Sequence, residues 1–158
     1  MIRFIKENLA RQVKGFKLLQ LLLEEEFSRL TQRDPQGVSR IEMPIQELLR
    51  QIGAERISLK SLLAGAYPET RLRDFPAALG GDEGLAAGET LQAIKKAEQQ
   101  CARQAAKNQR LAAALSKQSQ SLLEFLHNSV RPKNNDAYSA KGCYAKAPSR
   151  PSLLSGRL

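Results

Sequence analysis

Tryptophan is absent from this chain, histidine occurs once, cysteine occurs twice, and aromatic residues make up only 5%. The lone His127 cannot supply the clustered imidazoles of a zinc or iron site, and neither cysteine has a partner at metal-ligand spacing. Gly80-Gly81-Asp82-Glu83-Gly84 is the nearest approach to a phosphate-cradling loop, but it lacks the lysine and the preceding strand that such a loop needs. An enzyme, a metal site and a cofactor are therefore not expected. Cys101 falls in a helical stretch and Cys143 in a polar tail, far apart in sequence, so no structural disulfide is expected and a reducing compartment fits. Long hydrophobic runs are missing too. The longest, Leu18-Leu19-Gln20-Leu21-Leu22-Leu23, is interrupted and leads into Glu24-Glu25-Glu26. It is neither a signal-peptide core nor the ~18 apolar residues of a membrane span. The expectation is a soluble, cytoplasmic protein without membrane insertion.

What the chain has in abundance is Leu, Ala, Gln, Glu, Lys and Arg, a composition for helices. Its 158 residues allow one domain with a core of modest size. The formal net charge is +9, unevenly placed: from Arg131 to Leu158, six basic residues (Arg131, Lys133, Lys141, Lys146, Arg150 and Arg157) stand against one acid, Asp136. Such a tail can attract nucleic acid by releasing phosphate counterions. Here the cations are scattered and no DNA- or RNA-binding module is present, so nucleic acid is not the expected partner. Composition changes near Pro132, which divides the chain into an expected helical body, residues 1–130, and a flexible basic tail, residues 131–158.

Periodicity gives the body its architecture. Ile2, Leu9, Phe16, Leu23 and Leu30 are spaced by seven, with Ile5, Val13, Leu19 and Phe27 three or four residues after members of that series. This is the stripe of a coiled-coil seam. A helix of about 30 residues, ~45 Å long, is predicted to end near Arg33, where Asp34-Pro35 offers a cap and a first-turn proline. A second helix repeats the stripe with Val38, Ile45, Ile52 and Leu59, accompanied by Ile41, Leu48 and Leu62, and with Glu55 in a polar gap. The short turn makes the two antiparallel neighbours. Pro44 predicts a kink or a delayed helix start. Pro68 to Gly88 reads as a Gly/Pro connector and hinge, enclosing a possible short helix at about Arg71 to Leu79.

The third long helix is predicted from about Leu85 or Thr90 to Asn128. Its seam, Leu91, Ile94, Glu98, Cys101, Ala105, Asn108, Ala112, Leu115, Ser119, Leu122 and Leu126, is thin. Asn108 either fixes register from a buried position or faces water. Toward the helix end, Leu111, Leu115, Leu122, Leu123, Phe125 and Leu126 are more apolar residues than one seam needs; they either complete the bundle or stay free for a partner helix. The fold class is thus all-α, an elongated antiparallel bundle of three long helices with coiled-coil packing, and a disordered C-terminal tail.

Several stretches together resemble a known family. They are the first helix ending in Leu-Leu-Glu-Glu-Glu-Phe, the turn at Asp34, the Glu-Leu-Leu helix, the Gly/Pro connector, Asn108-Gln109-Arg110-Leu111, the Gln/Ser/Leu helix end and the tail's Tyr138-x-x-x-Gly142. In this order they are similar to the flagellar export chaperone FlgN family. The resemblance implies a cytoplasmic chaperone of flagellar type III export. Such a protein binds hook-filament junction (hook-associated) proteins, masks their helical assembly surfaces and delivers them to the export gate protein without a nucleotide. It further implies cargo binding by the C-terminal helix region, here Leu111, Leu115, Leu122, Phe125 and Leu126, and export-gate docking through Tyr138 and Gly142. A structural coiled-coil adaptor with a merely solvated tail is the alternative reading.

Overall fold

A computed structural model describes residues 2–130. The described residues are all-helical, as expected, and form α1 (Ile2–Thr31), α2 (Pro35–Ala66), α3 (Phe75–Leu79) and α4 (Gly81–Val130). The composition change at Pro132 and the tail, residues 131–158, lie outside the described residues.

The turn between α1 and α2 is built from interlocking caps. Arg33 takes a left-handed conformation, φ 56°. Its amide donates to the Leu30 carbonyl at 3.1 Å and the Asp34 amide donates to the Arg29 carbonyl at 3.0 Å. That pair of bonds satisfies the last carbonyls of α1. Asp34 also opens α2, because its carboxylate accepts from the Gly37 amide at 2.9 Å. Pro35 follows in the first turn, where a missing N–H leaves nothing unsatisfied. The Gly37 bond, and then the Arg29 guanidinium, hold the Asp34 carboxyl below its ordinary value. α2 starts at Pro35 and runs through Pro44, so the delayed start predicted at Pro44 does not occur.

The three long helices supply most of the core, and α3 adds Phe75. α1 buries Ile5, Leu9, Phe16, Leu19 and Leu23; α2 buries Ile45, Leu48, Ile52, Leu59 and Leu63; α4 adds Ala87, Ile94, Ala97 and Cys101. The predicted stripes are mostly these residues. Phe27 is exposed, however, and Leu63 takes the inner position expected of Leu62. α1 and α2 run antiparallel: Asn8 and Arg11 meet Glu55, while Gly15 lies against Ile52, whose Cγ1 would stand 3.1 Å from an added Cβ. α4 advances beside α1 in the same direction. Cys101 Sγ reaches the Phe16 carbonyl at 3.4 Å, and one heptad later Asn108 Nδ2 donates to the Leu23 carbonyl at 2.8 Å.

The segment expected to act as a hinge is instead a packed corner. Phe75, in α3, is fully buried, and its ring meets that of Tyr67 edge-on at 5.5 Å. Gly80 and Gly81 have φ of 69° and 56°, left-handed values that glycine adopts without strain. They reverse the chain so that α4 begins at Gly81, earlier than the predicted Leu85 or Thr90. Asp82 and Glu83 in its first turn complement the positive helix end. Gly84 lies inside the helix because α4 passes so close to α3 that an added Cβ would sit 2.3 Å from the Pro76 carbonyl oxygen.

Candidate functional site

The chain divides into two compact units between Ala113 and Ala114, within the length of α4. In the first unit α4 contributes to the core down to Asn108, which is 4% exposed. This decides between the two readings of that residue: its amide donates to the Leu23 carbonyl and to Glu26 Oε2, at 2.8 and 2.6 Å. Leu111 and Leu115 are half-buried. From Ser116 to Val130 every residue is exposed.

Among them are Leu122, Leu123, Phe125, Leu126 and Val130, with exposures of 58%, 66%, 66%, 48% and 55%. The reading in which Leu122, Leu123, Phe125 and Leu126 complete the bundle's core does not hold for these four. At 100° per residue, Leu115, Leu122 and Leu126 of the second unit fall within a stripe about 40° wide; Phe125 on one flank and Val130 and Leu123 on the other widen it to about 160°. Gln118, Ser119 and Ser129 interrupt this face; the two serine hydroxyls donate to the Leu115 and Phe125 carbonyls at 3.0 and 2.8 Å. Their polar hydrogens are thereby engaged within the helix. The result is one broad apolar face, laid out at the spacing that engages another helix. Val130 lay outside the apolar surplus read from the sequence, and Leu123, part of that surplus, was not among the residues assigned to cargo. They are off the seven-residue series, and only the full angular width of the face includes them.

Little else among the described residues has chemical reach. No group of His, Cys, Asp and Glu there is placed to hold a metal ion. Burial pushes the Cys101 thiol pKa up, which disfavours the thiolate and makes it a packing residue. His127 lies in the last turn of α4. Tyr138 and Gly142 lie outside the described residues. No described helix is long and apolar enough to cross a membrane.

A family model described as FlgN protein matches residues 1–146. The chain belongs to the FlgN family. FlgN proteins are flagellar export chaperones, a chaperone family rather than a family of enzymes. The FlgN match covers the apolar end of α4 and continues past Tyr138 and Gly142. No curated protein and no solved structure matches the chain.

Proposed function

We propose that this FlgN chaperone holds a helical end of a hook-filament junction (hook-associated) protein on the apolar face of α4 and presents the complex to the flagellar export gate in the cytoplasm. The observation that carries this reading is the exposure of Leu122, Phe125 and Leu126 at 58%, 66% and 48%. A large apolar face left in water marks an interaction surface. Junction proteins assemble through helical segments, and an uncovered amphipathic helix invites premature association. Laying it on Leu122, Phe125 and Leu126, with Leu111 and Leu115 at the near end, removes both apolar faces from water at once. The body then corresponds to residues 1–130, with antiparallel coiled-coil packing of its long helices. The tail, residues 131–158, carries the gate contact at Tyr138 and Gly142. A single tyrosine ring can fill a pocket with few torsions to immobilise. Loading and release need no nucleotide, since the gate only has to compete for one partner.

Co-expression with candidate junction proteins, followed by size-exclusion chromatography, tests cargo binding: a co-eluting complex is expected, and separate elution with every candidate contradicts it. Tyr138→Ala is expected to impair gate docking and motility while cargo still co-elutes. Loss of cargo with docking intact would reverse the assignment of the two regions.

A further inference from the structure

A second surface lies in the first unit, on residues that the proposed cargo face does not use. Between the C-terminal half of α2, the connector and α4 runs a groove of about 620 Å³. Its apolar lining includes Leu59, Leu63, Tyr67, Leu72, Leu91 and Ile94. Around them stand Arg56, Lys60, Arg71 and Lys95, with Glu98 the one acid. Glu98 is already engaged by Arg56 at 2.9 Å. Lys60, Arg71 and Lys95 form no ion pair with the described residues, whereas Arg56, on the same groove, is paired with Glu98. Three cations without an ion pair thus line one apolar groove, Lys60 from α2, Arg71 from the connector and Lys95 from α4.

Shape and charge together define an occupant. Arg56, Leu59, Lys60 and Leu63 follow the three- and four-residue spacing of a helix face over about 10 Å, roughly two turns, and Tyr67 caps its end. That length suits a helix lying along the trough better than an extended strand, whose recognition needs an open sheet edge. The tail of this chain is a poor occupant on charge, since it sets six cations and one acid against a cationic rim. We infer that this groove docks an acidic amphipathic helix of a protein partner. The partner's apolar face lies on Tyr67, Leu72 and Leu91, over a floor of the core residues Leu59, Leu63 and Ile94, and its carboxylates meet Lys60, Arg71 and Lys95. None of the residues lining this groove belongs to the proposed cargo face of α4.

The test uses the full chain and three synthetic probes of ~18 residues: a leucine-faced helix flanked by glutamates, the same helix flanked by lysines, and the glutamate sequence broken by proline. Fluorescence anisotropy is expected to show saturable binding of the glutamate helix alone, weakening as salt rises. Lys60→Glu combined with Lys95→Glu should weaken it by about tenfold or more, since like charges then meet across the rim. If that pair lowers thermal stability, Arg71→Glu, outside the long helices, should still produce a clear loss. Leu122→Asp with Leu126→Asp should leave the affinity unchanged, so failure here and failure of the cargo reading are told apart. Equal binding of the lysine helix, indifference to the rim substitutions, or loss only with the α4 substitutions would overturn the inference. So would binding to anionic phosphatidylserine vesicles, sensitive to the same rim charges, with none to the glutamate helix.

Discussion

Glu55 interrupts the apolar stripe of α2, and Asn8 and Gln12 are buried in α1 at 0% and 3% exposure. These three polar residues answer one another across the interface. Asn8 Nδ2 donates to the Glu55 carboxylate and to its backbone carbonyl, and Gln12 Nε2 donates to Asn8 Oδ1 at 2.7 Å. Arg11 closes the cluster with two bonds to the same carboxylate, at 2.7 and 3.0 Å. Displacing either helix along its axis would strand these buried groups, at about 1–3 kcal/mol each, so the cluster selects one alignment of α1 on α2. Arg11, and to a smaller extent Asn8, hold the Glu55 carboxyl below its ordinary 4.5. A lowered folded-state value means that the unfolded chain takes up the proton first on acidification. The contribution of Glu55 is therefore complete above pH 4.5 and disappears as the pH falls through its folded value. Glu55→Gln should lower the melting temperature at neutral pH and converge on the wild-type chain in acid, measured by calorimetry across that range; a constant offset would contradict this. Glu47 is held lower, at about 2, chiefly by Arg50 and then Gln51. Its pair is half or more exposed, so Glu47→Gln should matter less and lose its effect in salt.

At the scale of elements, the glycines separate into kinds that the sequence presents alike. Gly53 lies in the middle of α2 with nothing within 4 Å of an added Cβ, whereas Gly84 in α4 would drive that Cβ to 2.3 Å from the Pro76 oxygen. Gly53→Ala should stabilise by about 0.5–1 kcal/mol, because a helix interior prefers alanine and the unfolded chain loses freedom. Gly84→Ala should destabilise despite the same gain in propensity, since backbone has to move. Thermal melts of the two variants check both signs, and a stabilised Gly84→Ala would mean that α3 does not pack tightly on α4. This pair also explains where the sequence was readable. Asp34-Pro35 marked the α1–α2 boundary through a local cap, and residues spaced by seven marked the α1 and α2 faces. Gly80 to Gly88 misled, because glycine signals equally a loose connector and a close approach, and only the position of Pro76 distinguishes them. Asn8 and Gln12 were missed for a related reason. A polar residue next to an apolar stripe counts as solvated unless its partner, here Glu55, is known to lie opposite.

Over the whole molecule, apolar residues are allotted to two uses. In the first unit they make a core; on α4 beyond Leu115 they stay in water. The sequence revealed the surplus at Leu111 to Leu126 but not its allocation, since a 3.6-residue pattern describes a core-facing helix and a partner-facing helix equally. Cargo binding is the proposed purpose of this exposed face in a member of an export-chaperone family. Burying one leucine contributes about 1.5–3 kcal/mol, so charges at two central positions of a binding face should cost at least ~3 kcal/mol, roughly a hundredfold in Kd. The most direct test is titration calorimetry of the full chain and its Leu122→Asp/Leu126→Asp variant against the junction protein that co-elutes with it, with helicity followed by circular dichroism. An affinity loss of about a hundredfold with helicity and melting temperature unchanged is the predicted result. Unchanged affinity, or a collapse of helicity in the unbound variant, would contradict the assignment of this face to cargo.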